Sequence, residues 1–176
     1  ELFGTSGLYP AIAPVPEEGL DKAANLELLN ADGSTTDPNA GDGFSAGGKT
    51  HIFGGTSQDR WKMDKLSFNF NVTGTVGTDV YGDAASGTHN RFILDARMGN
   101  TWLHAWDDLQ RTRGDYIRDE VAANAQIAMG HAGTHTRRVH FFLNGLYWGV
   151  YTLHERPDAD FQAAYQGGDD EEWDVL

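Results

Sequence analysis

The sequence predicts an α+β fold, in which a mostly antiparallel sheet is combined with one main helix. Residues 65–72 alternate strictly between polar and apolar side chains, which is the period of a half-buried strand. Two apolar runs between residues 139 and 153 flank Asn144 and Gly145, a strong signal for a hairpin turn. Residues 115–129 instead repeat their apolar side chains at helical spacing. Strands, a helix and a hairpin in this order favour an antiparallel sheet.

The other predicted strands are short and are separated by long polar loops. Three of them are predicted at residues 25–30, 49–53 and 91–96, with loops at 33–48 and 73–90. The first strand ends before Asp32 and Gly33, a dipeptide that favours a turn. Residues 1–21 are rich in Gly and Pro, and we interpret them as an irregular lead-in to one domain over residues 22–176.

The main helix has a start signal, an apolar stripe and a stop signal. Asp115 can cap its first turn, and Gly130 can end it in a left-handed conformation. The stripe consists of Ile117, Val121, Ala125 and Ala128. A second, shorter helix is predicted at about residues 158–165, where Gly167 and Gly168 stop it.

The hairpin sequence also predicts its register. With a two-residue turn at Asn144 and Gly145, three apolar pairs share one face of the sheet. These pairs are Leu143 with Leu146, Phe141 with Trp148, and Val139 with Val150.

Composition excludes several classes of function. The formal net charge is −13, from 26 acidic and 13 basic residues, so the overall field repels nucleic acid. The chain contains no cysteine, which rules out disulfides, zinc–thiolate sites and cysteine nucleophiles. No apolar run reaches the roughly 18 residues of a membrane span. The chain begins at Glu1 and ends in an apparent strand start at Leu176, so we interpret both ends as cut.

Residues 139–151, followed by Glu155, Arg156, Pro157 and Asp158, carry a family resemblance. They resemble the segment "YLNGxYWGxYxxxERPD" of the CotH kinase family, whose members include spore coat protein H. Residues 165–169 and 173–175 continue this likeness. Upstream, residues 116–120 resemble the family's helix, and residues 54–57 with 65–68 resemble its "GGxS…KxSF" segment. The resemblance covers roughly residues 22–176.

The resemblance implies an atypical protein kinase domain whose first part has the outline of a kinase small lobe. It implies ATP and magnesium as cofactors, and transfer of phosphate to Ser or Thr of a protein substrate, which in this family is serine-rich. Many members are bacterial and exported or surface-associated, so an extracellular or envelope location is favoured. The family's metal-binding motif has no counterpart before Leu176. We therefore expect the catalytic residues downstream, and an inactive isolated chain.

Two features resemble a site for the phosphates of a nucleotide. The segment Gly54, Gly55, Thr56 and Ser57 could place backbone N–H groups against phosphate oxygens. The alternative is an ordinary hairpin turn, because these residue types are common in loops. Lys65 matches the family's Lys-x-Ser-Phe and would face the phosphates, whereas Lys62 is the rival and a solvated strand end is the alternative role.

Two carboxylates complete the candidate set. Glu120 lies at the edge of the helical stripe and could hold the lysine, with Asp119 pointing further round. The alternative is a surface acid favoured by the helix dipole. Glu155 follows the hairpin where a kinase hinge would begin, so it could contact adenine or ribose, or it could pair with Arg156.

The sequence predicts no metal site within this chain. His131, His135 and His140 lie across a glycine-rich turn and a strand rather than on one helix face. Asp158 and Asp160 are interpreted as a helix cap rather than as metal ligands. The alternative to a kinase is a non-catalytic interaction module of a coat or cell surface that keeps the same fold.

Overall fold

A computed structural model describes residues 21–34, 43–54, 65–76, 80–81, 88–97, 101–102, 104 and 107–174. The described strands form one antiparallel sheet of six strands in the order β1-β2-β3-β4-β6-β5. The strands are β1 (Lys22–Leu28), β2 (Phe44–Phe53), β3 (Ser67–Val76), β4 (His89–Asp95), β5 (Thr136–Leu143) and β6 (Leu146–Glu155). The helices among the described residues are α1 (Asp108–Arg113), α2 (Arg118–Ala128) and α3 (Ala159–Gln166), followed by a 3-10 turn (Asp170–Glu172).

The predicted fold class, an α+β fold with a main helix that resembles a kinase small lobe, is wrong. The structure is a curled antiparallel sheet, close to half a barrel, with only small helices. The predicted main helix exists as α2, but it has 11 residues and buries only Ala123. Ile117 and Val121 of the predicted stripe are 44% and 58% exposed. The stripe misled the prediction because periodicity shows that a helix can form and not that it packs.

The hydrophobic core lies on one face of the sheet. Phe68 and Phe70 of β3 are 2% and 3% exposed, as the alternation over residues 65–72 predicts. Phe92 of β4 is completely buried and stacks on Phe44 with ring centroids 4.9 Å apart. A curled sheet can therefore bury its own apolar face without a large helix against it.

The β5–β6 hairpin forms at the predicted turn, but its register changes after the pair Phe142–Tyr147. Leu143 faces Leu146, as predicted. Phe141 then pairs with Gly149, and not with Trp148. A β-bulge at this point leaves Trp148 as the extra residue.

The bulge also explains why the third predicted pair is wrong. Val139 pairs with Tyr151 and not with Val150. Gly149 has φ of 123°, a conformation that favours glycine and that a hairpin pattern alone does not reveal. The shift turns Tyr151 into the core and leaves Val150 47% exposed.

Other elements differ from the prediction mainly at their ends. The structure extends the predicted strand at 49–53 back to Phe44, inside a segment that was predicted to be a loop. Helix α1 was not predicted. Helix α3 is present, and the Asp158 carboxylate caps it by accepting from the Phe161 backbone N–H at 3.1 Å. Within the described part of the chain, no helix is long and apolar enough to cross a membrane.

We expect Phe92→Ala to lower the free energy of unfolding by about 3–5 kcal/mol, because it opens a cavity in the core. Phe142→Ala is the matched control, since Phe142 lies on a neighbouring part of the sheet and is 59% exposed. That change should cost less than about 1 kcal/mol. Urea denaturation followed by tryptophan fluorescence measures both values. Equal losses would contradict the assignment of the core face.

Candidate functional site

The predicted glycine segment begins where β2 ends. Gly54 follows Phe53 directly and has φ of 116°, in the region that favours glycine. Phe53 pairs with Ser67, so Gly54, just after β2, and Lys65, just before β3, lie at the same end of these two strands. Gly55, Thr56, Ser57 and the rival Lys62 lie outside the described residues.

Lys65 is half-buried and directs its ammonium group toward β6. Its Nζ donates a hydrogen bond to the Val150 carbonyl at 2.5 Å and lies 4.4 Å from the centre of the Tyr151 ring. Gly149 at the bulge lies beside this side chain, since a Cβ there would be 3.4 Å from the Lys65 Cε, an ordinary van der Waals distance. Burial lowers the pKa of Lys65, and the charge of Asp95 partly opposes that shift.

Asp95, the last residue of β4, is bonded on several sides. Its Oδ1 accepts from the Ser67 hydroxyl at 3.0 Å and from the Arg97 backbone N–H at 2.7 Å. The Ser67 hydroxyl oxygen in turn accepts from the Ala96 N–H at 2.9 Å. These bonds lock the end of β4 against the start of β3, next to Lys65.

Arg97 is buried beside Asp95 and carries an ion-pair network. Its backbone has φ of 59°, and its side chain is 6% exposed. One guanidinium nitrogen, Nη1, lies 2.7 Å from Asp119 of α2 and 3.3 Å from Asp95. Its Nε donates to the Thr152 hydroxyl at 3.2 Å. A buried cation is thus balanced by carboxylates from two separate elements.

Glu120 points inward from α2, but its partners are arginines. Its carboxylate lies 3.2 Å from Nη2 of Arg138 and 3.8 Å from Nη2 of Arg97. It also accepts from the Thr152 hydroxyl at 3.3 Å. Among the described residues, Lys65 forms no ion pair with Glu120. We call Asp95, Arg97, Asp119, Glu120 and Arg138 together the Arg97 cluster.

Glu155 lies on the face of β6 opposite to Thr152 and the Arg97 cluster, and it is 3% exposed. One carboxylate oxygen, Oε2, accepts from the His135 backbone N–H at 2.9 Å and lies 3.1 Å from the His135 Nδ1. The other, Oε1, accepts from the Tyr165 hydroxyl at 2.6 Å and lies 3.5 Å from the His89 Nδ1. Burial and the charge of Glu155 raise the pKa of the nearby Tyr81. Glu155 therefore joins α3 and the start of β5 to the end of β6.

The histidines named as possible zinc ligands do not converge. His135 joins the Glu155 network, whereas the His140 Nδ1 lies 3.0 Å from the Tyr147 hydroxyl on the other face of the hairpin. Asp158 forms an ion pair with Arg91 at 2.8 Å in addition to its cap. Where the structure describes the chain, it contains no group of three or more His, Cys, Asp or Glu residues placed to hold a metal ion.

The sequence reasoning missed the residues that bind the predicted carboxylates. Arg97 follows a buried strand and showed no motif, and an arginine gives no sequence signal for a positive φ. Arg138 adjoins Val139 in the hairpin, and alternation does place it on the face opposite the core. That alternation was the one available signal for its pairing with the helix.

Comparison with known proteins identifies one family. The family model described as CotH kinase protein matches residues 51–173. The match includes Lys65, the Arg97 cluster and Glu155. A search of curated proteins gives no match.

We expect Arg97→Ala to lower the free energy of unfolding by about 2–4 kcal/mol, because it removes a buried cation from the partly buried carboxylates of Asp95 and Glu120. Arg111→Ala is the control, since Arg111 is half exposed and pairs within α1 with the exposed Asp108. That pair should contribute nothing measurable. Thermal and urea denaturation give the two values. A loss for Arg97→Ala no larger than that of the control would contradict the role of the cluster.

The pKa of His154 predicts a pH dependence of stability. Burial lowers it, against the opposing effect of its hydrogen bond to the Glu155 carbonyl. As the pH falls below about 6.5, the unfolded chain takes up a proton that the folded chain resists, so stability falls. Between pH 7.5 and 5.5, the wild type should lose more stability than His154→Gln. Parallel pH profiles in urea denaturation would contradict this.

Proposed function

Because this chain belongs to the CotH kinase protein family, we propose that it forms the nucleotide-binding part of a CotH-like protein kinase. The proposed reaction transfers the terminal phosphoryl group of ATP to Ser or Thr of a protein substrate. The observation that carries the proposal is the half-buried ammonium of Lys65, a residue just before β3, at the end of the sheet where Gly54 follows β2. A serine-rich substrate and an extracellular or surface location belong to the same proposal.

The surroundings of Lys65 fit a phosphate. Its partner, the Val150 carbonyl, is neutral, and among the described residues no carboxylate pairs with it. A phosphate oxygen can replace that carbonyl as the acceptor. The new hydrogen bond would join two charged groups at a site that is partly shielded from water, so it would be stronger than the bond it replaces. The bond to Val150 holds the ammonium in place before the nucleotide binds, so little side-chain entropy remains to be lost.

The proposed roles of the other residues follow from their contacts. Gly54, Gly55, Thr56 and Ser57 would supply backbone N–H groups to the phosphates. Glu120 would affect the site only indirectly, through its ion pairs with Arg97 and Arg138, which hold it beside Thr152. Glu155 lies on the other face of the sheet from Glu120, so we propose that it supports the site through α3 and β5 rather than by touching the base.

Magnesium is expected to arrive with the nucleotide. When bound, it neutralises charge on the phosphates during transfer. The described residues provide no ready set of metal ligands. The chain's own part in the reaction is therefore to hold the phosphates and to exclude water from their positive partner.

A non-catalytic interaction module is the second candidate. The observation that favours it is the pairing of Glu120 with two arginines, so that within the described residues Lys65 lacks the carboxylate ion pair expected in a nucleotide site. In this alternative, the same contacts serve only to stabilise the sheet and α2.

Nucleotide binding to the full-length protein distinguishes these candidates. We expect magnesium–ATP to bind, and Lys65→Ala to weaken binding by roughly tenfold or more, equal to about 1.4 kcal/mol or more. Lys49→Ala is the control, because the Lys49 side chain is 66% exposed on β2. Isothermal titration calorimetry gives the affinities. Equal binding by Lys65→Ala and wild type would exclude Lys65, and Lys62→Ala then tests the rival. No binding by the wild type would favour the interaction module.

A further inference from the structure

The curled sheet encloses a cavity of about 920 Å³ along the seam between its two edge strands. We call it the seam cavity. It is lined by residues 22–31 from β1 and its C-terminal extension, and by residues 137–144 from β5. These strands stand at opposite ends of the strand order, and among the described strands neither has a partner across the seam. The volume falls within the roughly 300–1,000 Å³ of typical small-molecule sites.

The floor of the seam cavity is apolar. It includes Phe68, Phe70, Leu94 and Leu153, each 4% exposed or less. Leu26 of β1 and Val139 of β5 pack against this core from the two walls. The apolar side chains that a hydrocarbon can contact are therefore the partly buried ones of the two walls.

One end of the seam cavity is polar and incompletely bonded. Asn30 is 7% exposed, and among the described residues its Nδ2 has no hydrogen-bond partner. Its Oδ1 accepts from Nη2 of Arg137 at 2.9 Å, and Nη1 of Arg137 donates to the Val80 carbonyl at 3.2 Å. Both acceptors are neutral, and in the described part of the chain no carboxylate pairs with Arg137. A cation and an unused amide donor thus meet at the end of an apolar chamber, where an unpaired polar group is costly.

The strand directions disfavour a peptide as the occupant. Every neighbouring pair in the sheet is antiparallel, so β1 and β5 run antiparallel to each other across the seam. A single strand inserted between them would have to run parallel to one of them. The bond between Asn30 and Arg137 also bridges the seam already at one end. A small molecule in the seam cavity fits these constraints better than a peptide strand paired with β1 or β5.

We infer that the seam cavity binds a free fatty acid. Its carboxylate accepts hydrogen bonds from the Arg137 guanidinium and the Asn30 Nδ2, which supplies the missing charge partner and uses the orphaned donor. Its hydrocarbon chain lies against the partly buried side chains of Leu26, Val139 and Phe141 in the two walls. This site lies on the core face of the sheet, apart from the proposed nucleotide site, and does not depend on it.

Displacement of a fluorescent probe tests this inference on the full-length protein. Dansyl-labelled undecanoate should bind saturably at one site per chain, and palmitate should displace it. Methyl palmitate has the same chain without the charge, so it should bind roughly tenfold more weakly or worse. Absence of saturable probe binding, or equal affinities for palmitate and its methyl ester, would overturn the inference.

Three variants locate the site. Arg137→Gln should weaken palmitate by roughly tenfold or more, while Arg111→Gln removes the same charge from the exposed face of α1 and should keep the affinity. Ala24→Trp places an indole in the cavity wall and should abolish binding. Circular dichroism confirms folding, and if Arg137→Gln does not fold, Ala24→Trp and the ester comparison decide. Wild-type affinity in a folded Arg137→Gln or Ala24→Trp would refute the site.

Discussion

The burial of Tyr151 connects the core of this protein to its candidate site. Its ring is 1% exposed and packs against Phe68 and Phe141 across the sheet. Its hydroxyl donates to the Leu66 carbonyl at 2.9 Å, and the next residue back, Lys65, places its ammonium over the ring. The same side chain therefore fills the core, holds the start of β3 and positions the ammonium group that we propose binds phosphate.

Tyr151 reaches this place because of the β-bulge beside it. Without the extra residue at Trp148, the register of the hairpin would turn Val150 inward and Tyr151 outward. The glycine that follows adopts the positive φ of the bulge and lies beside the Lys65 side chain. One irregularity in one strand thus decides both the packing of the sheet and the geometry around the lysine.

The sequence predicted the features that depend on local patterns. Neighbouring residues determine such features, and three of them were predicted: the alternation in β3, the turn at Asn144 and the cap at Asp158. The sequence did not predict the bulge or the exposure of α2, because both depend on how one element packs against another. The same limit applies to the site: Lys65 stood in a recognisable motif, whereas Arg97, the actual partner of the helix carboxylates, had none.

The proposed function depends on Lys65 exchanging the Val150 carbonyl for a phosphate oxygen. A crystal structure of the full-length protein with magnesium and a non-hydrolysable ATP analogue tests this directly. The account predicts a phosphate oxygen within hydrogen-bonding distance of the Lys65 Nζ, and a broken bond between Lys65 and Val150. A bound nucleotide whose phosphates lie elsewhere, with Lys65 still on the Val150 carbonyl, would contradict it.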